Sequence, residues 1–159
     1  GSEMCIRDRS TQKRLKTDPE VALAMAGGAP LNAVKDITGL TLDAKAAASL
    51  RDLLAQGRSL TPDAIVRAYS ASMAIPAVAL QLSRWCYDLL RVKSGADPHF
   101  FIRERDVLER IAAEATTKNL LSLNAAVAEM RRSAEHPLAP RQVWEGVLLV
   151  YARALGAQV

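Results

Sequence analysis

The sequence predicts an all-α helical bundle, and three observations carry that prediction. Apolar residues recur at three- and four-residue steps through most of the 159 positions. No apolar–polar alternation extends beyond four residues that this helical period does not explain better. The periodic segments are joined by short links rich in Gly, Pro, Ser, Thr and Asp, a length that sets successive helices antiparallel.

The elements follow in order. Asp18-Pro19-Glu20 is a start signal: Asp caps, Pro suits the first helical position, and an acid in the first turn complements the helix dipole. That helix runs to Ala26 and stops at Gly27-Gly28; a second short one spans 30–37 before Thr38-Gly39. Residues 41–56 place Leu42, Ala46, Leu50, Leu53 and Leu54 on one face, and Gly57 closes them. Thr61-Pro62-Asp63 opens a helix reaching about Ser70. The longest helix is expected over 72–93, with Pro76 near its start and an apolar stripe of Ile75, Val78, Ala79, Leu82, Trp85, Cys86, Leu89 and Leu90. Residues 94–98 (SGADP) form the clearest break in the chain. Helices are then expected over 104–115, over 117–134 ending at His136-Pro137, and over 140–155. The last carries Val143, Trp144, Val147, Leu148, Tyr151 and Leu155. Its apolar stripe is wide enough to require central burial or a second packing partner.

Composition sets outer bounds. Half the residues are hydrophobic and 24% charged, which argues against disorder for the chain as a whole, and 8 Gly with 7 Pro exclude a collagen-like or linker chain. A chain of this length buries roughly 70% of its unfolded surface, enough for a core without staples. No apolar run reaches membrane-spanning length, and the N-terminus is charged where a signal peptide needs an apolar stretch. Cys5 and Cys86 are too few for a disulfide framework, so a reducing cytoplasmic setting is expected. Of the formal charge of +4, residues 1–17 supply +3 through Arg7, Arg9, Lys13, Arg14 and Lys16 against Glu3 and Asp8. That segment reads as a disordered tail. Gly1-Ser2 reads as a cloning remnant and residues 4–10 as translated adapter sequence, so the chain is expected to be a piece of a longer one.

Catalytic chemistry finds little support. Gly27-Gly28-Ala29-Pro30 has neither the preceding strand nor the following Lys-Ser/Thr of a phosphate loop, and reads as a helix stop. His99 and His136 lie 37 positions apart without Cys, Asp or Glu at ligand spacing; no metal or cofactor is expected. Cys86 falls within the apolar stripe as a small hydrophobe. Glu104, Asp106, Glu109 and Glu114 interleave with Arg103, Arg105 and Arg110 as a solvated, paired helix face. No catalytic residue is expected, and the chain reads as a packing module rather than an enzyme.

Several strings together resemble one family. Residues 81–90 (QLSRWCYDLL) resemble the LQRWCYDLL helix of the bacterial DNA polymerase III delta-prime subunit, in its C-terminal domain. The Gly95 break with Phe100-Phe101 is similar to that family's GG-x-P-R-Y-F stretch. Residues 133–138 (SAEHPL) with Arg141 resemble its AxHPLNxR turn, with Ala139 standing where the family commonly has Asn. Residues 24–33 resemble the LAGGxPxxAL element closing its lid domain. The set covers about residues 19–155.

The resemblance implies a clamp-loader collar domain over 40–159, preceded by the end of a lid domain over 18–39. It implies a replication role without catalysis. The domain would join the gamma/tau and delta subunits in a ring and meet DNA only indirectly, with the ATPase-like module outside this sequence. It also implies structural or interface roles for Trp85, Tyr87, His136, Pro137, Arg141 and Trp144. The rival expectation is a small helical nucleic-acid-binding or regulatory protein using the basic N-terminal arm with Arg84, Arg91 and Lys93.

Overall fold

The computed structural model describes residues 41–134 and 139–159. The tail expected over 1–17, the lid remnant over 18–39 with its two helices, and the turn at His136-Pro137 lie outside the described residues. Six α-helices account for most of the rest: α1 (Ala44–Ala55), α2 (Pro62–Ala68), α3 (Ile75–Lys93), α4 (Arg105–Glu114), α5 (Thr117–Ser133) and α6 (Pro140–Ala154). Short 3-10 turns at Gly57–Ser59 and Ile102–Glu104 join them, and no strand occurs among the described residues. The architecture is an all-α bundle.

The helix starts follow from capping chemistry. Asp43 accepts the Ala46 N–H at 2.7 Å, Thr61 that of Ala64 at 3.2 Å, and Thr116 that of Asn119 at 3.0 Å. Each satisfies one of the donors that a first turn leaves unpaired. Pro62, Pro76 and Pro140 all lie within the first two helical positions. Two expected boundaries move for the same reasons. The helix expected from residue 41 is capped by Asp43 and begins at Ala44. A helix begun at residue 72 would place Pro76 at its fifth position, where a backbone N–H is required; α3 instead starts at Ile75.

The end of α3 is a left-handed glycine stop. Gly95 has φ +91°, its N–H bonds Val92 O at 3.0 Å, and the Ala96 N–H reaches back to Arg91 O at 2.9 Å. A side chain at Gly95 would meet no neighbour, so the backbone conformation alone selects glycine there. The break expected at 94–98 therefore has a defined geometry.

α3 is the central element and packs on α4, α5 and α6. Its Val78, Leu82, Trp85, Cys86 and Leu89 are buried against Leu108 and Ile111 of α4, Leu120, Leu123 and Val127 of α5, and Leu148 and Tyr151 of α6. Each fully buried Leu or Ile contributes about 1.5–3 kcal/mol. The wide stripe of α6 is resolved as central burial. Trp144, Val147, Leu148, Tyr151 and Ala152 are all enclosed, because α6 faces α5 on one side and α2 with the Gly57–Ser59 turn on another. Val150 is the large apolar residue that α6 leaves exposed, at 37%.

Candidate functional site

The two tryptophans are core anchors with a shared task. Trp85 on α3 is 0% exposed; its indole N–H donates to the Tyr151 hydroxyl of α6 at 3.0 Å, and that hydroxyl donates to Leu54 O in the last turn of α1 at 2.7 Å. Trp144 on α6 donates to Ile65 O of α2 at 2.8 Å and lies 6.0 Å from the Tyr69 ring. In each case a buried side-chain donor of α6, the Tyr151 hydroxyl or the Trp144 indole, reaches a carbonyl in the last turn of another helix. Arg110 of α4 does the same for Ala55 O, at 2.6 Å. Neither tryptophan reaches the surface.

Tyr87 does. It lies on the outer face of α3, 45% exposed, and meets the loop after α3 through edge contacts to His99 (6.3 Å) and Phe100 (5.5 Å). His99 and Phe100 also meet edge to face, at 4.7 Å. Two guanidinium groups lie over these rings: Arg84 over Phe100 at 5.3 Å and Arg91 over Tyr87 at 5.9 Å. Phe101 turns the other way, into the core, edge-on to Trp85 at 5.0 Å.

This loop is held by Asp88, a residue that sequence reasoning did not single out. Asp88 is 0% exposed, and its carboxylate accepts three backbone N–H groups: His99 on Oδ1 at 2.8 Å, Phe100 on Oδ2 at 2.8 Å and Phe101 on Oδ2 at 2.7 Å. A signal for it exists in the sequence. Asp88 is an acid inside the buried stripe of a helix, between Trp85 and Leu89, a few residues before a glycine stop. A carboxylate in that place needs donors, and the chain that returns after the stop supplies them.

The remaining expected residues are dispersed. Arg141 is exposed and pairs with Glu145 one turn along α6 at 3.0 Å, away from the ring cluster. His136 and Pro137 lie outside the described residues. The charged face expected on α4 is only partly a solvated one. Arg105 pairs with Glu109 and with Asp97, but Arg110 turns in to α1, and Glu114 Oε2 lies buried without a hydrogen-bond partner near Gly57. Glu104 pairs across to Arg51 at 3.5 Å.

Among the described residues no three His, Cys, Asp or Glu side chains are grouped as metal ligands, and no helix is long and apolar enough to cross a membrane. An open groove of ≈ 600 Å³ between α1 and α2 is lined by Lys45, Ser49, Asp52, Gln56 and Arg67, with no hydrogen bond among them. Burial pushes the Cys86 thiol up to about 12 and holds the Tyr151 phenol well above its ordinary range, so both are neutral at physiological pH. Native protein at pH 8 is therefore expected to leave Cys86 unlabelled by iodoacetamide, with labelling appearing only in denaturant. Peptide mass mapping distinguishes it from Cys5, and prompt native modification of Cys86 would contradict its burial.

No protein-family model, curated protein or solved structure matches this chain.

Proposed function

We propose that the chain is a non-catalytic, cytoplasmic clamp-loader element: the helical collar of a delta-prime-like subunit, which joins gamma/tau and delta subunits so that a sliding clamp can be placed on primed DNA. One observation supports the reading above the others. Residues 81–90 and 95–101, two strings that resemble that family separately, are tied to one another by the three hydrogen bonds of Asp88. The resemblance thus falls on a pair of segments that depend on each other physically. An all-α bundle with short links and a structural role for its polar core groups suits an architectural part. On this reading neither nucleotide nor metal is required by the described residues.

The test is light scattering after gel filtration, on the chain alone and then with gamma/tau and delta collar domains from a bacterium. The expected result is a defined hetero-oligomer containing one copy of this chain. A chain that elutes unchanged beside both partners overturns the proposal.

A further inference from the structure

We propose that the ring cluster of Tyr87, His99 and Phe100 is a docking platform for single-stranded nucleic acid. The inference stands on geometry and charge, and is independent of the collar reading. Three rings from a helix and a loop converge within 4.7–6.3 Å of one another on one surface. Nearly half of Tyr87 faces solvent. The loop cannot collapse onto it, because Asp88 fixes the backbone of His99 and Phe100. Tyr87 is the exposed ring and those of His99 and Phe100 are half-buried beside it; an exposed ring backed by neighbours on a fixed backbone can stack a base with little ordering cost.

Charge selects the occupant. Arg91 lies over Tyr87 and spends a donor on a backbone carbonyl, Asp97 O at 2.8 Å; Lys93, on the same helix end, is exposed. Asp88 is engaged by three backbone N–H groups, and Asp97 pairs with Arg105 at 2.7 Å, an arginine it shares with Glu109. The platform therefore presents planar rings beside Arg91 and Lys93, with the exposed Asp97 carboxylate drawn to Arg105. A single strand offers the complementary chemistry, a base to stack on Tyr87 with phosphates passing Arg91 and Lys93. Duplex DNA, whose bases are already stacked, gains only the phosphate contacts.

The experiment is fluorescence anisotropy with a labelled oligothymidylate of about 15 nucleotides, within the range such platforms engage. It uses the whole chain with Arg7, Arg9, Lys13, Arg14 and Lys16 replaced by Gln, so that the basic N-terminal segment cannot account for binding. This chain is expected to bind the single strand in preference to a duplex of the same length. Added Tyr87→Ala weakens binding about 5- to 100-fold, the loss typical of one stacked base, whereas Tyr87→Phe retains it. Arg91→Gln lowers the salt slope by about one. Tyr87 is exposed, so circular dichroism of these variants should match the parent. Absence of binding once the N-terminal charges are removed overturns the proposal, as does binding indifferent to Tyr87→Ala. Capture of a polyglutamate peptide in place of the oligonucleotide also overturns it, and assigns the platform to an acidic protein partner.

Discussion

Trp85→Ala is expected to cost about 3–5 kcal/mol of folding stability, the range for truncating a fully buried large aromatic residue. Three losses combine. The indole vacates the centre of the bundle, where α3 meets α4, α5 and α6. Its edge contact to Phe101 disappears, and with it the packing that anchors the loop after α3 from below. The Tyr151 hydroxyl loses its donor while still donating to Leu54 O, so a link from α3 through α6 to α1 is cut at one end. Against a total stability of about 5–15 kcal/mol for a domain of this kind, such a loss populates the unfolded state visibly. Urea unfolding followed by circular dichroism measures it, with Trp144 as the remaining fluorophore. Trp85→Phe separates the two parts of the effect by keeping most of the volume and deleting only the N–H. Combined with Tyr151→Phe it should be non-additive by about 0.5–3 kcal/mol, as for residues in one hydrogen-bond chain. A loss below about 1.5 kcal/mol for Trp85→Ala would mean the core closes over the cavity and the relay carries little.

The helices were legible because their period, caps and stops are local. Thr61 caps by reaching three residues ahead and Gly95 ends α3 by its own backbone conformation, and neither needs a distant partner; the Asp43 and Thr116 caps are equally local, though they were not picked out. The buried stripe of α3 was legible for the same reason. What sequence could not show is which polar groups find long-range partners. Arg110 reads as a member of a charged helix face, yet it serves a carbonyl 55 positions away. Tyr151 reads as one more apolar residue of α6, yet its hydroxyl joins helices 66 and 97 positions upstream in sequence. The ring platform was half legible: Tyr87 was singled out from the resemblance, and Phe100-Phe101 as an aromatic pair. That Phe100 faces out and Phe101 in depends on where Asp88 holds the loop. The wide stripe of α6 was seen, but its use was not, because central burial and an interface look the same in one dimension.

Asp88→Ala is the second large effect expected, about 3–5 kcal/mol, and its size follows from hydrogen-bond accounting. A carboxylate offers about four lone-pair sites, and here three are taken by backbone N–H groups at 2.7–2.8 Å. Taking the charge out of water is costly, and these donors offset that cost only because all three are fixed in place by the return of the chain after Gly95. Alanine removes the acceptor and leaves the donors behind. The Phe101 N–H is fully buried and has no route to water, while those of His99 and Phe100 are partly buried. Orphaning such groups costs about 1–3 kcal/mol each where water cannot replace the acceptor, and breaking a buried charge-assisted set costs about 3–5 kcal/mol in all. Asp88→Asn should fall between, since its single carbonyl oxygen can serve two of the donors while its amide N–H₂ confronts the third. Urea unfolding gives the totals, and hydrogen exchange at His99, Phe100 and Phe101 shows where they arise. In Asp88→Ala these amides should lose protection before the rest of α3 does, because the loop is freed while the helix stripe stays packed. If instead they remain protected and stability falls by less than about 1 kcal/mol, the loop is held by Phe101 in its core pocket, and Asp88 is a passenger of that packing rather than its cause.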